Sequence, residues 1–106
     1  WLKIPCCENY PRVVRATTLP LLMLGGESKG DPMGTIGEFV AGMKAGANVR
    51  GALVGRNILF PGKDDPLAAA LAVNHVVHDG ASTEEAVDFL MSNRDIQMDA
   101  LTRYIR

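Results

Sequence analysis

Two short apolar runs, each stopped by glycine, constrain this chain more than any other feature. Leu19 to Leu24 reads Leu-Pro-Leu-Leu-Met-Leu and ends at Gly25-Gly26. Its apolar residues are continuous rather than alternating, which predicts a strand covered on both faces, as in parallel sheets. Val49 to Val54 reads as a second buried strand, ended by Gly55. Between the two, Ile36, Phe39, Val40 and Met43 fall at i, i+3, i+4 and i+7 and predict one apolar helical stripe. Gly46 lies where that helix should stop. Gly37 and Gly42 lower its intrinsic propensity, so packing must hold it. Strand, helix, strand in that order calls for a crossover connection and parallel pairing.

The flanking segments extend the same alternation. Trp1 to Pro5 predicts a strand, ended by a proline that offers no ladder donor. Asn9 to Thr17, with Pro11 near its start, predicts a short helix. Glu27 to Met33 is polar and rich in Gly and Pro, and reads as a loop. At Asp64-Asp65-Pro66, Asp65 can cap free amides and Pro66 suits the first helical position, so a helix follows from Leu67 to His78 and stops near Gly80. Ser82-Thr83-Glu84-Glu85 has capping-box spacing and starts another helix through Met91. Met98, Leu101, Tyr104 and Ile105 predict a last amphipathic turn or two.

The order is thus β-α-β-α-β-α-α, without internal repeat, low-complexity segment or linker. Three βα units cover both faces of an open sheet poorly. At 106 residues the chain is also well short of the roughly 250 of a complete (β/α)8 barrel. The expectation is therefore a piece of a larger α/β protein, and Trp1 in place of Met points the same way.

Charge and composition remove several function classes. Eleven Lys+Arg against twelve Asp+Glu give a formal net charge of −1, which argues against a nucleic-acid partner or an anionic membrane surface. No apolar run approaches the roughly 18 residues of a membrane span, and no secretory signal pattern is visible. Cys6 and Cys7 are adjacent, which rarely suits disulfide geometry, so two thiols in a reducing cytoplasm are expected. Together with His75 and His78 they lack the spacing of a zinc site. The two histidines read as packing or surface residues, and Glu84, Glu85 and Asp88 as solvated charges favoured near a helix start.

Three features at or near strand ends carry candidate chemistry. Alternation along the first strand turns Lys3 away from Leu2 and Ile4, hence away from the helical layer those two would pack against. An ammonium directed into an interior loses hydration, which favours the neutral, nucleophilic amine; the ordinary reading is a snorkelling surface lysine. Gly25-Gly26 lets an anionic oxygen approach backbone amides closely, or simply makes a turn. Gly55-Arg56-Asn57 exposes another amide, and Arg56 can add a charge-assisted bond to phosphate or pair across the structure with a carboxylate. Two glycine-ended strands in succession match the place where (β/α)8 enzymes often hold phosphate.

Trp-Leu-Lys-Ile-Pro (1–5), Leu-Pro-Leu-Leu-Met-Leu-Gly-Gly-Glu (19–27) and Asn-Val-Arg-Gly-Ala-Leu-Val-Gly-Arg-Asn-Ile-Leu-Phe-Pro (48–61) together resemble the class I, Schiff-base aldolases of the DeoC/LacD type. The likeness is greatest to the aldolase-like (β/α)8 proteins of bacterial inositol-catabolism clusters. The resemblance implies that the chain holds strands six to eight of a (β/α)8 barrel over residues 1–81, with 82–106 a C-terminal helical extension of the same domain. It implies Lys3 as the Schiff-base lysine and Gly25, Gly26, Gly55 and Arg56 as the phosphate-binding set. It further implies a phosphorylated ketose or sugar substrate, no cofactor and no metal, because the iminium does the polarising a metal would do. Where the family often has Pro-Lys after the glycine pair, this chain has Glu27-Ser28. The family's acid/base residues sit on earlier strands, so activity is expected of a full-length parent and not of this stretch alone. A non-catalytic phosphate-ligand-binding barrel and another phosphate-handling barrel enzyme, such as an isomerase, are the alternatives. Exposed strand edges predict association into a homo-oligomer.

Overall fold

The computed structural model describes residues 1–26 and 30–93, and within them the chain forms a small α/β domain. Strands β1 (Leu2–Pro5), β2 (Leu21–Leu24) and β3 (Val49–Leu53) pair in parallel, in the order β1-β2-β3. Helix α1 (Tyr10–Arg15) connects the first two strands and α2 (Met33–Met43) the next two. After β3 come the single turn α3 (Arg56–Leu59), the long α4 (Pro66–Asp79) and α5 (Thr83–Asn93).

The helices begin where local chemistry permits. The Asp65 carboxylate accepts from the Leu67 amide at 3.0 Å, with Pro66 directly inside the helix. The Ser82 hydroxyl accepts from the Glu85 amide at 3.2 Å, the first half of the expected capping box. At the N-terminal end of the sheet, the Asn48 side-chain amide donates to the carbonyls of Val14, Thr17 and Leu19 at 3.1–3.3 Å, pinning the end of α1 and the approach to β2.

One face of the sheet carries the core. Leu21 and Met23 of β2 are fully buried and stand level with Leu2 and Ile4 of β1. Ile36, Phe39 and Val40 of α2 join them with Ala68, Ala72, Val73 and Val76 of α4 and Ala86 and Leu90 of α5. At roughly 1.5–3 kcal/mol per large apolar side chain, this layer dominates stability. The small residues of α4 let it sit between α2 and α5, so α5 belongs to the same core instead of trailing from it. His75 of α4 meets α5 through Phe89, whose ring stacks on it at 4.8 Å, and it bonds Asp79 at 2.8 Å.

The other face is far less covered. Alternation places Lys3, Leu22, Leu24 and Leu53 there; Lys3 and Leu53 are exposed, while Leu22 and Leu24 are half-buried. The two-sided burial expected of β2 is thus complete on the core side and partial on the other. The pairing of β2 with β3 also shifts by one residue: Leu21 stands opposite Val49, but Leu22 stands opposite Gly51. Arg50 is the extra, unpaired residue of a bulge.

The expectation of strands six to eight of a (β/α)8 barrel is overturned. The strands form an open three-stranded sheet, and α2, α4 and α5 share one core with it. The physical reason is that βα repetition specifies parallel pairing but not closure, which depends on how many strands share the sheet. Strand β1 begins at Leu2 and β2 at Leu21, both later than expected, and α3 was not foreseen. Part of the loop expected over Glu27–Met33, and all of the amphipathic turns expected from Met98, Leu101, Tyr104 and Ile105, lie outside the described residues. No helix among the described residues is long and apolar enough to cross a membrane.

Candidate functional site

All three strands point the same way, so their C-terminal ends gather on one edge of the domain, where backbone groups emerge from the ladder without further strand partners. The Gly25 amide donates to the Leu53 carbonyl at 3.1 Å, extending the β2–β3 ladder by one rung. The Gly25 carbonyl in turn accepts from the side-chain amide of Asn57 at 2.8 Å. Asn57 is 3% exposed and lies in α3, so the turn after β3 is bonded directly to the turn after β2.

The glycines at this edge differ in what requires them. A Cβ on Gly25 would lie 2.7 Å from Val54 Cγ2 and 3.3 Å from the Val54 backbone, so the two turns approach too closely for a side chain. Gly26 is exposed and has φ +70°, a left-handed conformation natural to glycine. Gly55, just before α3, is exposed, and a Cβ built on it meets nothing within 4 Å. Its carbonyl accepts from the Ile58 and Leu59 amides at 3.0 and 2.8 Å, which forms the α3 turn. Arg56 is exposed, and among the described residues its guanidinium makes no ion pair. Gly25, Gly26, Gly55 and Arg56 therefore share one edge, where Gly26, Gly55 and Arg56 are exposed while Gly25 is buried with its amide and carbonyl both already paired.

Lys3 stands apart from this group. It pairs with Leu22, three residues before Gly25, which puts it about 10 Å lower along the strand direction and one strand spacing, about 5 Å, to the side. It lies on the less covered face, opposite the core, and it is exposed. The dehydration expected of its amine is thus not supplied by this chain's packing: β1 is an edge strand, and the residues next to Lys3 across the sheet, Leu22 and then Gly51, cover little of it.

Asn57 is the residue whose role sequence reasoning missed. It stands inside the Gly55-Arg56-Asn57 motif, and its signal was a polar amide following a buried strand, where it must find a partner if the turn folds inward. A second feature was also missed. The turn after β1 brings Cys6 and Cys7 beside Tyr10 of α1 and Glu38 and Gly42 of α2, around a cavity of about 180 Å³. Neither cysteine is in a disulfide. No group of three or more potential metal ligands occurs among the described residues.

Residues 1–77, which contain all of these positions, match a protein-family model described as Cgl0159-like. Among solved structures, the crystal structure of Cgl0159 from Corynebacterium glutamicum (Brevibacterium flavum), a structural-genomics target, superposes with a TM-score of 0.68 and 36% sequence identity. The match covers 76% of this chain and 26% of that one, so the chain spans about a quarter of the length of this relative. The shared sequence runs through β1, both glycine turns and most of α4, and on that basis the chain belongs to the Cgl0159-like family.

Proposed function

We propose that the protein is a Schiff-base aldolase acting on a phosphorylated ketose or sugar acid, with Lys3 as the nucleophile and the glycine edge as the seat of the phosphate. The observation that carries this reading is the Asn57–Gly25 bond at 2.8 Å, which holds two glycine turns side by side with Arg56 next to them. Exposed glycine backbone at Gly26 and Gly55 beside a guanidinium suits a phosphate ester. The offset of Lys3 from that edge suits a short substrate lying along the strands, phosphate uppermost and carbonyl toward the amine.

In this mechanism the Lys3 amine adds to the ketone, and loss of water leaves a protonated imine. A base removes the proton of the hydroxyl on the carbon beyond the bond to be broken. The electrons of that C–C bond then flow into the iminium, releasing an aldehyde and leaving an enamine. That base comes from outside the three motifs. Phosphate contacts orient the substrate and take no part in bond breaking. A reducing cytoplasm suits both a phosphorylated sugar and the thiols Cys6 and Cys7, and self-association through the strand edges is part of the same reading.

The exposure of Lys3 favours one competing reading, a protein that binds phosphate esters without chemistry. Borohydride trapping of the full-length protein with dihydroxyacetone phosphate separates the two. The aldolase reading expects a reduced adduct on Lys3 that is lost in Lys3→Met. Binding without an adduct would replace it with the ligand-binding reading. Arg56→Ala should weaken phosphorylated substrates by on the order of tenfold or more while sparing unphosphorylated analogues, and an equal loss for both would remove the phosphate assignment.

A further inference from the structure

The Cys6–Tyr10 cavity lies outside the phosphate edge and is not used by the mechanism. Tyr10 is 4% exposed, and its hydroxyl is fully buried with no hydrogen-bond partner among the described residues. A buried O–H donor left without an acceptor is uncommon, and here it belongs to a residue lining a cavity that two sulfurs also line. Cys6 is half-buried, and its thiol reaches the Glu38 backbone carbonyl at 3.9 Å. Burial, and after it the nearby Cys6 and Cys7 sulfurs, hold the Tyr10 phenol above its ordinary value of 10.0. The phenol therefore keeps its proton at neutral pH and remains a donor.

We propose that Cys6 is a site of reversible oxidation by hydroperoxides, the oxygen it gains entering the cavity and accepting a hydrogen bond from Tyr10. The Cys6 thiol loses its proton, and the thiolate attacks the distal oxygen of the peroxide. A sulfur–oxygen bond forms as the oxygen–oxygen bond breaks. The sulfur is oxidised by two electrons, and the peroxide leaves as an alcohol, or as water from hydrogen peroxide, taking up the thiol's proton. The product is a sulfenic acid on Cys6, whose ionised form is the acceptor the Tyr10 hydroxyl lacks.

Cys7 is poorly placed to collapse this product into a disulfide. Consecutive Cα atoms are about 3.8 Å apart across a trans peptide, inside the usual lower limit of about 4.4 Å for a disulfide. The sulfenate therefore persists until an external thiol condenses with it, releasing water, and a second thiol restores Cys6. Because Cys6 follows directly on β1, two residues beyond Ile4, oxidation would mark the strand that carries Lys3.

The chain is treated with equimolar hydrogen peroxide in the presence of dimedone, and the labelled peptide is mapped by mass spectrometry. The expected result is label on Cys6, retained in Cys7→Ser and reduced on the order of tenfold in Tyr10→Phe, as loss of a hydrogen bond to a charged acceptor predicts. Label confined to Cys7, undiminished Cys6 label in Tyr10→Phe, or loss of two hydrogens across Cys6–Cys7 in place of one gained oxygen would overturn it. Should Tyr10→Phe disturb the fold, the Cys7→Ser chain decides: label on Cys6 supports the proposal, and its absence ends it.

Discussion

Gly25 and Gly55 follow successive strands and look alike in sequence, yet the structure uses them differently. Gly25 is buried, donates to Leu53, accepts from Asn57 and has Val54 against the place a side chain would occupy. Gly55 is exposed, with open space where its side chain would be. The first glycine is explained by packing alone. The second is not, and an unfilled approach to the backbone is what a ligand-binding position offers. A glycine at a strand end is informative about function only after the neighbours of its missing Cβ are known.

Substitutions test that contrast in descending order of effect. Gly25→Ala should cost the most, about 3 kcal/mol in denaturant unfolding, because Val54 approaches with both side chain and backbone. Asn57→Ala should cost about 2 kcal/mol by leaving the Gly25 carbonyl buried without its donor, and it should weaken phosphate-ester binding as the two turns part. Gly55→Ala should leave stability within about 0.5 kcal/mol of the parent while reducing phosphate-ester affinity in isothermal titration. If Gly25→Ala and Gly55→Ala unfold at the same denaturant concentration, the two glycines are equivalent and the contrast fails. If Gly55→Ala binds phosphate esters normally, the open space above it serves no ligand.

Local chemistry was legible in the sequence wherever a single residue type decides an outcome. Asp65 and Pro66 start α4, and Ser82 with Glu85 starts α5, because capping depends on atoms two or three residues apart. Parallel pairing followed from strand and helix alternation. What depends on distant neighbours was not legible. The side of Lys3 could be read from alternation, but its exposure depends on what covers that face. Closure into a barrel could not be read from three repeats. The role of Asn57 needed a partner 32 residues away, and the cavity beside Tyr10 needed the turn after β1 to meet the middle of α2.

The unpaired Arg50 has a consequence for everything that follows it. Strand parity is a binary property: one residue more or fewer swaps inside for outside along the remainder of the run. Val49 answers to the core through Leu21, and two residues later Gly51 answers to Leu22 on the opposite side, a swap that regular pairing forbids. The orientation in which β3 delivers Gly55, Arg56 and Asn57 to the edge is thus inherited from a single supernumerary residue near its start. A loss or gain there would reach the far end of the strand undiminished, although no contact connects the two.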